Sequence, residues 1–301
     1  MLTGDEIAEL EAAVEQLSAG GKALVEIEAN DRPLRVLEPA LRDWLRELDL
    51  GRGFVLVRGL PVERWGKEKS ALAWWLIGRH LGEPVSQNSN GDLLGHVRDD
   101  GSTPGDPGIR LYRTRAAQDF HTDGADIIGL LCLQPAKSGG LSRIASSVTV
   151  FNEILARRPD LAPALFEDFA WNAYGQQAGG APPHFTMPIC SVVGGRLRTF
   201  YIGWYIRDAQ GLPEAPRMSP AQAEVVDLVE KIAGDPRFHL DMDFRPGDMQ
   251  LLKNSVTLHA RTEYQDWEDA ARKRHLLRLW LTAREFDDGD ETLRAGIPKK
   301  G

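Results

Sequence analysis

Arg274-His275-Leu276-Leu277-Arg278-Leu279-Trp280-Leu281 is an apolar run broken by two arginines and a histidine. With Thr282 it reads as a core strand over 274–282. Residues two apart on an extended backbone share a face, so Arg274, Leu276, Arg278 and Trp280 point the same way. Two guanidiniums on one face of a core strand are costly unless they meet anions. They lie roughly 13 Å apart along the strand at about 3.3 Å per residue. That spacing lets one grip the far carboxylate of a dicarboxylate while the other sits nearer a metal. Arginine suits the task because it holds a carboxylate through two parallel hydrogen bonds. The competing reading is an edge strand with solvated arginines, or arginines paired to acidic side chains of the chain itself.

Working outward, strands are expected at 127–133, 142–146, 187–193, 197–202 and 249–252, with a shorter one between the glycines at 53 and 59. An aromatic strand is expected over Phe200-Tyr201-Ile202-Gly203-Trp204-Tyr205. The first third is mainly helical. Thr3 and Glu6 fit a capping box before Ile7, Leu10, Val14 and Leu17, and Leu41, Trp44, Leu45 and Leu48 mark a second helix. A third runs through Leu72, Trp75 and Leu76. Later helices are expected near 148–157, 160–168 and 219–233. Residues 83–108 read as a long loop. No glycine-rich phosphate fingerprint follows a strand, which excludes a dinucleotide fold. An antiparallel double sheet with helices outside fits best. The expected class is α+β with a mainly β core. One domain is expected over 1–301, with a helical N-terminal extension over 1–50 and a core over about 53–283.

The chemistry begins at Asp119-Phe120-His121-Thr122-Asp123-Gly124. His121 and Asp123 share a face of an extended segment and offer an imidazole and a carboxylate to one ion. With 7 histidines and 44 acidic residues in 301, about one such pair arises by chance, and a second does occur at His239-Leu240-Asp241. A distant histidine is needed, and Leu258-His259-Ala260-Arg261 supplies it beyond the turn Phe244-Arg245-Pro246-Gly247-Asp248. Two histidines and one carboxylate leave open positions on an octahedral Fe(II). Zinc usually prefers a closed or nearly closed tetrahedron. The plain alternative is a hydrogen-bonded histidine at a strand end.

Composition narrows the partners. The net charge is −8, from 36 basic and 44 acidic residues, which argues against a broad nucleic-acid footprint or an anionic membrane surface. Two cysteines, Cys132 and Cys190, exclude a disulfide framework and read as buried thiols. No run approaches a membrane span, and the N-terminus lacks a signal-peptide core, so a cytoplasmic protein is expected.

Together, Phe120-His121-Thr122-Asp123, Ser138-Gly139-Gly140-Leu141-Ser142, Pro246-Gly247-Asp248, Leu258-His259-Ala260-Arg261 and Arg274-His275-Leu276-Leu277-Arg278 resemble the taurine dioxygenase (TauD/TfdA) family of Fe(II)- and 2-oxoglutarate-dependent oxygenases. The resemblance implies a double-stranded β-helix, a jelly-roll or cupin-like core. It implies His121, Asp123 and His259 as iron ligands and Arg274 as the anchor of the far carboxylate of 2-oxoglutarate. Ser142 stands where relatives often carry a threonine hydroxyl near that carboxylate. Arg278 matches a second arginine that contacts the near carboxylate or an acidic substrate. Relatives also carry an asparagine four residues before the first histidine; here that place is Ala117, with Gln118 beside it. The implied reaction uses O2, releases succinate and CO2, and hydroxylates an unactivated C–H bond. Asp123 fills the position that a halogenase leaves open. Relatives often form homo-oligomers.

The substrate, a small molecule such as an amino acid, another carboxylate or a natural-product intermediate, is expected near Gln87 and Asn88, near Tyr174, Gln176 and Gln177, and near Trp204 and Tyr205. Arg98, Arg113 and Arg207 are further candidates for gripping an acid. Two other classes remain open: a zinc or manganese cupin-like enzyme that does not use 2-oxoglutarate, and a non-catalytic small-molecule-binding jelly roll.

Overall fold

The computed structural model describes residues 1–102, 111–177, 180–283 and 285–286. Helix α1 (Gly4–Gly20) opens the chain, followed by α2 (Glu38–Asp49), strand β1 (Phe54–Val57) and α3 (Val62–Leu81). Strands β2 (Glu83–Pro84), β3 (Leu94–Val97), β4 (Gln118–His121), β5 (Ile127–Gln134), β6 (Ser138–Gly139) and β7 (Ser142–Ser146) come next. Helix α4 (Ser147–Arg157) leads to β8 (Asp168–Asn172), β9 (His184–Pro188), β10 (Cys190–Val193) and β11 (Arg196–Thr199). The chain continues through α5 (Gly203–Ala209), α6 (Pro220–Ala233), β12 (His239–Met242), β13 (Met249–Lys253), β14 (Thr257–Arg261), β15 (Tyr264–Gln265) and β16 (His275–Thr282).

Two antiparallel sheets make the core. The larger runs β1-β13-β5-β16-β2, with β3 also on β16; the smaller runs β12-β7-β14-β4. Their two-residue period sorts the side chains. On β16, Leu277, Leu279 and Leu281 join α1, α2 and α3 in one apolar cluster. Leu276 and Trp280 face inward with Ile128 and Cys132 of β5 and Ile144 of β7. On β14, Leu258 and Ala260 pack outward with the apolar faces of α4 and α6. That alternation turns His259 and Arg261 inward. The double-stranded β-helix expected from the sequence is present.

Local signals held where they were strongest. Thr3 accepts from the Glu6 backbone N–H and Glu6 reaches back to Thr3. Ser219 and Gln222 form the same reciprocal cap on α6. Gly247 has φ +82°, and a Cβ there would lie 2.0 Å from the Leu60 carbonyl oxygen, so the turn into β13 requires glycine.

Four expectations are corrected. The expected loop over 83–108 contains β2 and β3, which complete the free edge of β16; its residues 103–108 lie outside the described residues. The expected strand at 187–193 divides at Ile189 because its halves serve different partners, β8 and β11. The expected helix at 160–168 is a single 3-10 turn, Ala162–Phe166, before β8. Trp204 and Tyr205 belong to helix α5, not to a strand. The burial of Ile206 and Ala209 on one face of α5 outweighs aromatic β-propensity.

Candidate metal centre

His121 ends β4 and pairs in register with His259 on β14. Their ring centroids are 4.2 Å apart. Asp123 follows two residues later, with Oδ1 3.9 Å from His121 Nε2 and Oδ2 3.5 Å from His259 Nε2. One donor atom from each of the three lies within 4.8 Å of the others. The intervening Thr122 is fixed to Tyr201: its N–H donates to the Tyr201 carbonyl (2.7 Å) and its Oγ1 accepts from the Tyr201 N–H (2.9 Å). Asn254 clamps the Asp123 backbone from both sides. Its Oδ1 accepts from the Asp123 N–H (2.9 Å) and its Nδ2 donates to the Asp123 carbonyl (2.6 Å).

The electrostatics suit cation binding. His121 Nδ1–H donates to the Asp119 carbonyl at 2.7 Å, which assigns the lone pair to Nε2. Burial, reinforced by the neighbouring His259 and only partly offset by Asp123, pushes His121 down to about 3, so its ring is neutral at ordinary pH. Burial opposes ionisation of Asp123, but Arg278, His259 and His121 outweigh it and hold the carboxyl well below the usual carboxylate range. Trp280 Nε1–H donates to Asp123 Oδ2 at 3.0 Å. His259 Nδ1 is buried with no hydrogen-bond partner among the described residues. Two imidazoles and an ionised carboxylate that converge within 4.8 Å of one another fit a divalent transition metal.

The triad opens on a cavity of about 50 Å³ that Ser142, Arg261, Arg274 and Arg278 also line. Arg274 is 4 % exposed, and its Nη1 has no hydrogen-bond partner among the described residues. The glycines preceding Ser142 let the chain pass close to it. Gly139 and Gly140 have φ +72° and +69°, and a Cβ on Gly140 would meet Arg274 Nε at 3.1 Å. The Ser142 hydroxyl shares hydrogen bonds of 3.1 and 3.2 Å with the Gln250 amide. Arg278 stands beside the triad, with Nη1 3.7 Å from Asp123 Oδ2 and its guanidinium over the rings of Tyr112 and Trp280.

The expected substrate residues divide. Gln87 is a correction: it is 1 % exposed, and its Nε2 donates to the carbonyls of Leu93 and Arg278 while its Oε1 accepts from Arg278 Nε at 2.7 Å. It orients Arg278 instead of facing an open cavity. Asn88, Tyr174 and Gln176, with Arg98 and Arg113, line a second cavity of about 600 Å³, and Tyr112 lines both cavities. Arg113 is paired there with Asp100 (2.6 Å), and Tyr174 donates to Asp208. Trp204 sets its edge toward His121 at 5.2 Å between centroids, and Tyr205 packs on Tyr174 at 4.6 Å. Gln177 carries a buried amide oxygen without a partner among the described residues. Arg207 is held by Glu230 and Asp227 on α6, so it does not serve as a grip for an acid.

The second histidine pair stays apart from the metal ligands. His239 Nδ1–H is bonded to the Ala233 carbonyl, and Asp241 pairs with Arg143. Sequence reading missed Asn254 because a backbone clamp leaves no spacing signature. It noted Gln118 beside Ala117 without giving it a role; its Nε2 donates to His121 Nε2 at 3.1 Å. The departure at Ala117 is thus accompanied by an amide one position on that reaches the site. Trp280 was legible as a residue on the arginine face, but not as a donor to Asp123.

The taurine catabolism dioxygenase TauD, TfdA family model matches residues 14–280. The chain belongs to this family. It is 31 % identical over 296 residues to FR-33289 synthase of Streptomyces rubellomurinus, covering 96 % of this chain and 87 % of that protein. It is 30 % identical over 291 residues to the taurine hydroxylase-like protein SAT17 of Stachybotrys chartarum, covering 92 % and 73 %. The fold matches that of asparagine oxygenase in complex with Fe(II), 3-hydroxyasparagine and succinate, with TM-score 0.74, 17 % identity and coverage of 99 % and 98 %. The protein is accordingly an Fe(II)- and 2-oxoglutarate-dependent dioxygenase that uses O2 to oxygenate a small molecule. Neither a cupin-like enzyme independent of 2-oxoglutarate nor a non-catalytic jelly roll accounts for that membership. No described helix is long and apolar enough to cross a membrane.

Proposed function

We propose that His121, Asp123 and His259 hold the iron, that Arg274 and Ser142 hold the far carboxylate of 2-oxoglutarate, and that a C–H bond of a small polar metabolite is hydroxylated. The carrying observation is one cavity that joins three converging donors to a buried guanidinium with an unpartnered nitrogen. When bound, iron and 2-oxoglutarate would supply the activation of O2, one oxygen atom of which converts 2-oxoglutarate to succinate and CO2 while the other enters the substrate C–H bond. The chain supplies the geometry. Asp119 holds the His121 ring through Nδ1, Asn254 and Trp280 hold Asp123, and Gln87 holds Arg278 beside Asp123, where it would meet the near carboxylate or an acidic substrate.

The cavity of about 600 Å³ lined by Asn88, Arg98, Tyr174 and Gln176 is the substrate chamber in this reading, with Tyr205 packed against Tyr174 and Trp204 against His121. Its mixture of amides, a phenol and arginines suits an amino acid, another small carboxylate or a polar natural-product intermediate. The hydroxyasparagine of the asparagine oxygenase complex and the taurine of the family description are molecules of that kind. The described residues act as one domain in this reading, because α1, α2 and α3 share a cluster with β16. The free, buried Cys132 and Cys190 suit a reducing cytoplasm, and the charge of −8 favours a small-molecule partner over a nucleic acid. The test is succinate production by anaerobically iron-loaded protein against libraries of amino acids, carboxylates and natural-product intermediates. Succinate released only with a matching substrate, and not by the His121→Ala variant, supports the reading. Failure of the loaded protein to bind 2-oxoglutarate overturns it.

A further inference from the structure

We infer that the far carboxylate of 2-oxoglutarate is clamped between two arginines, Arg261 and Arg274, and not held by Arg274 alone. The inference deepens the proposed reading and rests on it. Arg261, two residues beyond His259 on β14, also lines the cavity and is 6 % exposed. Arg261 and Arg274 each lie with Cζ 5.1 Å from the centroid of the Tyr264 ring, so one ring seats both cations. Among the described residues, neither has a carboxylate within ion-pair distance.

Hydrogen-bond accounting identifies what is missing. Arg261 Nη2 donates to the carbonyls of Leu111 (3.2 Å), Thr114 (2.9 Å) and Ala116 (2.5 Å). Its Nε and Nη1 are buried without partners, as is Nη1 of Arg274. A guanidinium carries five N–H donors, so three on Arg261 and two on Arg274 stay unspent. Two buried cations with unspent donors are strongly unfavourable without an anion. An ionised carboxylate is acceptor-only, with about four lone-pair sites, and answers both deficits at once. The carbonyl bonds give Arg261 a second consequence. They tie the 111–116 segment, which leads into β4 and His121, to the strand that carries His259.

A purely structural Arg261 makes a different prediction. The full chain, loaded anaerobically with Fe(II), is titrated calorimetrically with 2-oxoglutarate and with 2-oxopentanoate, which has a methyl group in place of the far carboxylate. Arg261→Gln keeps N–H donors for the carbonyls but removes the charge; Arg261→Met keeps the apolar stem and serves if the first variant does not fold. The expected result is a loss of about tenfold or more in 2-oxoglutarate affinity, with 2-oxopentanoate affinity unchanged. Arg261→Lys, which keeps the charge, recovers part of the loss. Equal losses for both ligands, or no loss for either, overturn the inference and leave the proposed function standing. Failure of the unaltered chain to bind 2-oxoglutarate sinks the proposed function itself.

Discussion

His121 and Arg274 face the same cavity from surroundings prepared in different ways. His121 has its ring nitrogens assigned by the Asp119 carbonyl and the Gln118 amide, and its partner Asp123 is gripped by Asn254 and Trp280. The metal end is therefore set by bonds within the protein. At the arginine end, Arg274 and Arg261 are buried with nitrogens that nothing described satisfies. Geometry is preformed at one end, while charge at the other is left for a ligand to complete. A buried unpaired cation is tolerable only when its anion arrives as substrate.

The sharpest way to break this contrast is at the metal end. His121→Ala should abolish substrate-dependent succinate formation while the circular dichroism spectrum stays that of a folded chain, so that the loss is one of chemistry and not of fold. Full activity in that variant removes His121 from the ligand set.

The arginine end should respond next. Arg274→Ala should raise the 2-oxoglutarate requirement more than tenfold, because a hydrogen bond to a charged group contributes about 1.5–3 kcal/mol. An unchanged requirement places the anchor elsewhere.

Asn254→Ala sharpens the comparison from the other side. It leaves the buried N–H and carbonyl of Asp123 without partners, at about 1–3 kcal/mol of stability. Iron affinity should fall about 10–100-fold, as when other orienting partners of a metal ligand are lost. Equal iron affinity in parent and variant shows that Asp123 does not depend on the clamp.

The smallest effect lies outside the cavity. His275 Nε2 bonds His96 Nδ1 at 2.9 Å on the helix-facing side of β16. Burial, aided by His96 and Arg98, lowers His275 from near 6.5 to about 4. The unfolded chain therefore takes up this proton first. The stability contributed is complete above about pH 6.5 and is lost as the pH falls toward 4. His275→Gln should flatten melting temperature against pH in that window, and an unaltered slope assigns the acid sensitivity to other groups.

Much of this was legible where chemistry forces a rare pattern. Arg274 and Arg278, four residues apart and so on one face of an apolar strand, are conspicuous because charge on a core face is costly. His121, Asp123 and His259 were legible once their motifs were read together. Gln87, Asn254 and Trp204 were not. Gln87 and Asn254 act on backbone or through another side chain, and any amide elsewhere in the chain reads alike. Trp204 was read as a strand residue because its neighbours are aromatic, whereas the apolar face of α5 decided the conformation.

The amino-acid sequence by itself determined the alternation that sends Arg274, Arg278 and Trp280 to one face, the caps of α1 and α6, and the donor types available to a metal. Those follow from local sterics and from the two-residue and 3.6-residue periods. Only the tertiary structure decided that β14 lies beside β4, so that His259 meets His121, and that Tyr264 seats Arg261 together with Arg274. Strand pairing joins residues more than a hundred positions apart, and its register depends on which faces the two sheets bury against each other.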